Sequence, residues 1–479
     1  MLVSVRIFAQ LIGLLSIAML PAALVAGTYG EDDLFAVFVV SALLIGFFSG
    51  TLAFALRGYD QRMHRREALS LAVLVWFGFP LLAALPFAAA GFGALDAYFQ
   101  SVSAFTTTGA ALVAPSVLPR GLVFWQSLLQ WLGGLATLMT IILLLAPTGV
   151  GGLPTSLLRM IEHVRPTALA RTKTVMGSIM PLYGGMTLAC ILLLLVANVP
   201  AFDALCLAFS TVSTGGMTPR DGGLSGYGSV LIEPVLMLFM LYGATSILWH
   251  RILVTGETRL LRRHRESFLV IAMAVLLGLV YAYQGVLTGT DAGRALRGGL
   301  FMGASIVSTT GFESRVGIIA SVPIALVIML TIAGGGSFST AGGLKLYRLG
   351  AMLTQCGREL KGLVYPHAVL TRRFGSHDFD QALMSSVWSY FALFLLSLAG
   401  LTGILSWSHP SADGALLAGL AALSNSGPIY TIAWPDAGDW PTYANFTPTA
   451  KATLIAGMVL GRLELVSFLS VLLAVRRTV

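Results

Sequence analysis

Four phrases of hydroxyl residues and glycine recur along this 479-residue chain: Thr106-Thr107-Thr108-Gly109-Ala110, Val212-Ser213-Thr214-Gly215-Gly216, Ser308-Thr309-Thr310-Gly311-Phe312 and Ser424-Asn425-Ser426-Gly427-Pro428. Backbone carbonyls turned toward one axis can replace the water that a cation sheds. Glycine reaches the backbone angles this requires at low steric cost. The hydroxyls of Thr107, Thr108, Thr214, Thr309 and Thr310 can support those carbonyls or add oxygen ligands. No carboxylate interrupts the four phrases, which disfavours a divalent-ion site. The expected chemistry is coordination of a dehydrated monovalent cation by Thr107, Thr108, Gly109, Ser213, Thr214, Gly215, Thr309, Thr310, Gly311, Asn425, Ser426 and Gly427. Thr108, Thr214, Thr310 and Ser426 are the expected metal-contacting positions. One such phrase alone would read as a helix cap or a close-packing site, so the fourfold recurrence carries the reading.

The elements that position the phrases repeat as well. The four phrase glycines, Gly109, Gly215, Gly311 and Gly427, lie 106, 96 and 116 residues apart. Each follows an apolar segment too short to cross a bilayer and is flanked by runs long enough to do so. Ten such runs are expected, at 5–27, 33–56, 68–90, 122–147, 175–199, 230–254, 267–287, 321–346, 379–405 and 450–475. The order spanning helix, re-entrant hairpin, spanning helix therefore occurs four times, and internal repetition decides a fold before local detail does. The fold class is an all-α membrane protein with four pseudo-repeated helix–pore-loop–helix units around one pore, plus two extra N-terminal transmembrane helices. The expected divisions are 1–66 for the N-terminal pair, then units at 67–174, 175–266, 267–378 and 379–479. Asp96, Asp203, Asp291 and Asp413 stand where N-caps of the short helices are expected. The C-terminal ends of those helices, carrying partial negative charge, would converge on the cation.

Composition agrees. The chain is 56% hydrophobic and 10% charged, with mean hydropathy +0.85, whereas soluble domains carry about 25% charged residues. The stretch after Arg6 resembles a signal peptide, but its length and the spanning run that follows favour an uncleaved first helix. With the N-terminus inside, 22 of the 29 Lys and Arg fall on the cytoplasmic side, a strong orientation signal. Arg57, Arg62, Arg65, Arg66, Arg259, Arg262, Arg263 and Arg265 belong to these basic loops and suit anionic lipid. Twelve of the 21 acidic residues fall outside, where they would either enrich cations near an outer mouth or serve as ordinary solvated loop residues. Cys190, Cys206 and Cys356 show no metal or disulfide spacing. The histidines sit at loops or helix ends with no nucleophile or carboxylate at useful spacing, so an enzyme is not expected. The competing reading is an ion-coupled secondary transporter with a midplane site at broken helices. Such folds favour inverted repeats, whereas every unit here starts and returns inside.

Two further features lie within apolar runs. Residues 333–343 read Ala-Gly-Gly-Gly-Ser-Phe-Ser-Thr-Ala-Gly-Gly, and each glycine costs a helix about 1 kcal/mol relative to Ala. A small-residue helix-packing patch is one reading. A loop crossing the pore below the phrases is the preferred one. Arg462 sits deep in the last run, where a charge must face a cavity or a partner. A structural pair within the bundle is the alternative for it. The nearby Glu464 points to another helix face.

Together these phrases resemble the selectivity filters of the TrkH/KtrB/HKT superfamily of potassium transporters over essentially the whole chain. The N-terminal pair and the run Gln130-Trp131-Leu132-Gly133-Gly134 are most similar to its TrkH branch. The resemblance implies K+ as permeant ion, no cofactor in this chain, and glycine at all four filter positions with potassium preference. Serine at the first position goes with sodium in some plant relatives, and here that position is Gly109. It implies that Gly334, Gly335, Gly336, Ser337, Ser339, Thr340, Gly342 and Gly343 form an intramembrane gating loop, with Arg462 in the pore beneath the filter. It also implies a homodimer with one pore per protomer, membrane lipid around it, a bacterial inner-membrane location with both termini cytoplasmic, and a cytosolic ring of TrkA-type nucleotide-binding regulatory subunits. No dinucleotide fingerprint occurs here, so nucleotide control would come through that ring. Two departures stand out: Met217 where many relatives have Phe, and Ile429 where relatives often have Gly.

Overall fold

A computed structural model describes residues 2–58, 64–145, 168–227, 229–256, 265–314, 318–365, 373–374, 377–378, 381–432 and 440–463. Among them the only strands are the antiparallel two-residue pair Arg373–Phe374 and His377–Asp378. Everything else is helix and connection. Helices α1 (Leu2–Thr28) and α2 (Asp32–Ala55) form the N-terminal pair. They lie close because small residues face across them: a Cβ on Gly13 would sit 2.6 Å from Ser49 Oγ, the close approach small residues allow between membrane helices.

The first repeat opens with α3 (Arg65–Val73), which runs through a π-helical turn at Leu74–Gly78 and short helices to Ala89. It continues in the short α4 (Ala94–Phe105) and the long α5 (Arg120–Met139). The second repeat is α6 (Ala168–Val196), α7 (Ala201–Val212), α8 (Ile232–Ala244) and α9 (Ile247–Thr255). The third is α10 (Arg265–Leu287), α11 (Ala292–Val307), α12 (Ile324–Ala333) and α13 (Leu346–Val364). The fourth is α14 (Gln381–Leu405), α15 (Ala412–Leu423), a one-turn α16 (Pro428–Ile432) and α17 (Pro448–Leu463). Among the described residues seven helices are long and apolar enough to cross a membrane, and α8 with α9 makes an eighth if the bent pair is one span. Glu464 and the end of the last expected run lie outside the described residues, as do Arg62, Arg259, Arg262 and Arg263.

Helices α4, α7 and α15 have 12 residues each, about 18 Å of rise against a hydrocarbon core of about 30 Å. They enter the membrane without crossing it. Their buried faces pack against the spanning helices, and the phrases begin where they end.

Two expectations need correction. Only Asp291 is an N-cap, its carboxylate accepting from Gly293 N (3.1 Å) and Arg294 N (3.3 Å). Ser411 caps α15 instead, while Asp96, Asp203 and Asp413 sit in the first turns, where a negative charge still complements the helix dipole. Asp203 and Asp96 are also engaged in pairs, with Arg220 (2.6 Å) and Lys451 (2.6 Å) respectively. The run 230–254 is not one straight helix. It breaks at Thr245-Ser246 with a bend of 104°, and the bend is supported from outside, as described next.

Candidate functional site: a ring of four loops above a buried arginine

The ends of the four short helices share one backbone solution. Each cap residue (Thr106, Ser213, Ser308, Ser424) is followed by a left-handed non-glycine residue: Thr107 (φ 51), Thr214 (φ 56), Thr309 (φ 60) and Asn425 (φ 52). Positive φ is a genuine outlier for a β-branched residue, and such outliers cluster where structure serves function. The next amide in each loop returns to the helix: Thr108 N to Ser103 O (2.9 Å), Gly215 N to Ser210 O (2.7 Å), Thr310 N to Ser305 O (3.1 Å) and Ser426 N to Ala421 O (2.8 Å).

This pattern fixes the register. Gly109, Gly216, Gly311 and Gly427 are equivalent, so the second loop is offset by one from the sequence expectation. Gly215 stands level with Thr108, Thr310 and Ser426, and Thr214 stands level with Thr107 rather than with Thr108. The double glycine in the second phrase hides this offset until the amide bonds are seen.

The loops close on one another in chain order. A Cβ on Gly109 would lie 2.2 Å from Gly215 O, and one on Gly216 would lie 2.0 Å from Thr310 O. One on Gly311 would lie 2.8 Å from Pro428 Cβ, and one on Gly427 would lie 2.5 Å from Ala110 N. Gly427 N also donates to Thr108 O at 2.6 Å, completing the circle from the fourth unit to the first. Glycine is thus required twice at Gly109 and Gly216, by φ of +77 and +80 and by the neighbouring carbonyl that fills the Cβ space. Side chains brace the ring from behind. Gln130 Nε2 donates to Gly215 O (2.8 Å), and Asn425 Nδ2 donates to Thr108 Oγ1 (3.0 Å) and Met458 O (2.8 Å). Ser103 Oγ and Ser305 Oγ each donate at 2.6 Å to the carbonyl after the ring glycine, Ala110 and Phe312.

On one side of the ring lies a vestibule of about 590 Å³, lined by Gly109, Gly216, Met217, Gly311, Glu313 and Pro428 among others. On the other side the space shrinks to about 20 Å³ beside Gly342, Lys345 and Arg462, room for about one water.

The constriction is made by the glycine-rich segment and Arg462. Residues Gly334 to Gly342 and Leu344 are buried, and Gly343 is half-buried. Helix α12 stops at Ala333, and Gly334 (φ +65) and Gly343 (φ +79) let the chain fold back so closely that a Cβ on Gly334 would meet Gly342 O at 2.2 Å. Arg462, 5% exposed, donates through Nε to Thr106 O (2.7 Å) and through Nη1 to Thr340 O (2.7 Å), with Nη2 on Thr107 Oγ1. Gly342 N donates to Thr309 Oγ1 (2.8 Å), and Thr340 Oγ1 lies 3.3 Å from Thr214 Oγ1. A Cβ on Gly342 would sit 3.5 Å from Asn425 Cβ. All four left-handed residues therefore meet the loop or Arg462.

The same loop stabilises the break between α8 and α9. Thr340 N donates to Gly243 O (3.1 Å) and Gly336 N to Ala244 O (2.8 Å), while Ile247 N donates to Phe338 O (3.0 Å). Backbone groups freed by a break at membrane depth need such partners. One oxygen of Glu266, at the start of α10, accepts from both Ser337 N (2.6 Å) and Tyr347 N (3.1 Å) and so binds the two limbs of the loop together. Sequence reasoning missed Gln130 as a brace, Glu266, and the break at Thr245-Ser246. A buried amide or carboxylate in an apolar setting demands a partner, and that was the available signal for the first two.

The model of the TrkH family, described as cation transport protein, matches residues 36–476. The chain belongs to the TrkH family. The "Trk system potassium uptake protein TrkH" of Halomonas elongata is 30% identical, covering 96% of this chain and 97% of that protein. That of Escherichia coli K12 is 29% identical, covering 97% and 96%. The crystal structure of the potassium transporter TrkH from Vibrio parahaemolyticus superposes with a TM-score of 0.83 at 28% identity, covering 98% of both chains. This family membership makes the chain a multi-pass potassium uptake transporter rather than an enzyme, with the all-helical repeated architecture expected from its sequence.

Proposed function

We propose that the four-loop ring is the selectivity filter of a potassium pathway, and that the glycine-rich loop with Arg462 is its gate. The observation that carries this is the closed ring of loops in common register, open on one face and stopped on the other by a buried guanidinium. Thr107, Thr108 and Gly109, Thr214, Gly215 and Gly216, Thr309, Thr310 and Gly311, and Asn425, Ser426 and Gly427 form the filter, with K+ as the permeant ion. Ser213 caps its helix in this register and stands behind the filter. Gly334, Gly335, Gly336, Ser337, Ser339, Thr340, Gly342 and Gly343 form the gate with Arg462. The guanidinium satisfies the negative helix end at Thr106 while placing a like charge in a cation path. Opening requires the loop and Arg462 to leave the four left-handed residues.

The unit boundaries at 67–174, 175–266, 267–378 and 379–479 belong to this reading, with 1–66 outside the pore. So do an inner-membrane location, cytoplasmic termini and a homodimer. The relatives' names speak of a Trk system, which fits a separate TrkA-type cytosolic nucleotide-binding ring acting on the gate. The test is potassium-uptake rescue in an uptake-deficient cell, with and without such a ring. Growth at low potassium in the presence of the ring is expected. No rescue in either arm, with the protein present in the membrane, overturns the reading.

A further inference from the structure

The fourth loop does not repeat the other three. Gly109, Gly216 and Gly311 have φ between +77 and +80, but Gly427 does not adopt positive φ. After it the chain turns at once into α16, where Ile429 N donates to Ser426 O (3.2 Å) and Tyr430 N to Gly427 O (3.1 Å). The Gly427 carbonyl accepts a second bond, from Tyr443 Oη at 3.0 Å.

Tyr443 is 1% exposed. Its ring lies against Phe99 of the first short helix (5.9 Å between centroids) and Tyr430 of α16 (5.1 Å). Trp440 stacks on Tyr430 (5.9 Å, 9° between planes), whose hydroxyl donates to Pro441 O (2.7 Å). Tyr443 thus joins the first and fourth quarters of the ring from outside. What it holds is critical because of the next residue. Pro428 approaches the Cβ positions of all three other ring glycines, at 2.8 Å for Gly311, 3.0 Å for Gly216 and 3.3 Å for Gly109. A shift of Gly427 therefore moves a rigid ring against every other loop.

We infer that Tyr443 is a positioning residue for ion discrimination: its hydroxyl fixes the Gly427 carbonyl and, through it, the seat of Pro428 among the three other filter glycines. The other loops obtain their shape from left-handed glycine, whereas the fourth obtains it from a phenol. This inference rests on the filter reading above, and it accounts for the departure at Ile429, which lies inside α16.

The test is the ratio of K+ to Na+ flux into proteoliposomes carrying the full-length protein, for wild type, Tyr443→Phe and Tyr430→Phe. One buried hydrogen bond corresponds to roughly a fivefold effect. The expected result is a K+/Na+ ratio about fivefold lower in Tyr443→Phe, with the wild-type ratio kept in Tyr430→Phe, whose hydroxyl does not touch the filter backbone. An unchanged ratio in Tyr443→Phe, or an equal drop in both variants, overturns the inference while leaving the filter reading standing. A wild type that does not distinguish the two ions removes both. If Tyr443→Phe folds too poorly for flux, thermal stabilisation of the detergent-solubilised protein by K+ against Na+ reads the same ratio, and an unchanged preference there overturns the inference equally.

Discussion

Replacing Arg462 by Ala removes a positive charge from beside the small cavity beneath the ring and three donors that tie Thr106 and Thr107 to Thr340. For a cation taken at a separation of about 6 Å from the guanidinium and an effective dielectric constant of about 20, the repulsion is roughly 3 kcal/mol, or about a hundredfold in occupancy. The gain in flux is smaller, because Gly342 and Thr340 still hold the loop against Thr309 and Thr214. Tracer rubidium or potassium uptake in proteoliposomes, normalised to incorporated protein, should rise roughly five- to fiftyfold, within that electrostatic ceiling. Arg462→Lys keeps the charge and should stay near wild type. Unchanged or reduced uptake in Arg462→Ala at equal incorporation would refute the view that this cation obstructs the path. A rise in Arg462→Lys matching that in Arg462→Ala would shift the cause from charge to the lost planar fork of donors.

Three other outcomes are expected. A Cβ on Gly342 would lie 1.7 Å from Ser424 O, so Gly342→Ala must push the loop off the ring and should raise uptake severalfold in the same flux assay. Gly216→Ala forces a side chain into left-handed backbone 2.0 Å from Thr310 O, whereas Gly215→Ala, outside the left-handed region, has a side chain, that of Gln130, as its nearest obstacle. Uptake should be abolished by the first and partly kept by the second, and the reverse order would contradict the register. His409 Nδ1 accepts from Ser411 N (3.1 Å), and its Nε2 lies 2.9 Å from Tyr430 Oη, an arrangement that requires neutral imidazole. Burial lowers its pKa below the ordinary 6.5, so the unfolded chain binds the proton more readily and stability falls as pH drops below about 6.5. Thermal midpoints measured from pH 7.5 to 5 should decline, with a flatter decline in His409→Gln.

Much of this was legible because repetition and length are visible without coordinates. An apolar helix of 12 to 16 residues followed by a hydroxyl residue and glycine is too short to span, and four of them in like settings admit few folds. The interruption at residues 333–343 was equally plain, since so many glycines oppose a helix. What stayed hidden depends on partners far away in sequence. The second loop's register turns on one amide bond from Gly215 to Ser210. The break at Thr245-Ser246 contains neither proline nor glycine, and it is stable because carbonyls at Gly243 and Ala244 find donors in a loop almost a hundred residues later. Glu266 looks like a surface acid at the edge of a basic loop until Ser337 and Tyr347 are seen to converge on it. The helical turn after Pro428 follows from Tyr443 and Trp440, which no local pattern connects to Gly427.

The closed circle of loops also bears on biogenesis. Thr107 rests on Arg462, 355 positions downstream, and Asn425 bridges back to Thr108 across 317. While the chain is being synthesised, the first loop exists long before the residues that hold its unfavourable backbone. Its threonine has no reason to keep a left-handed conformation during that interval. The circle is therefore a late feature, closed when the fourth loop reaches the first and braced at Thr106 and Thr107 only on insertion of the final helix, and a nascent chain halted before Arg462 should display four helical hairpins with a first loop that lacks its guanidinium support.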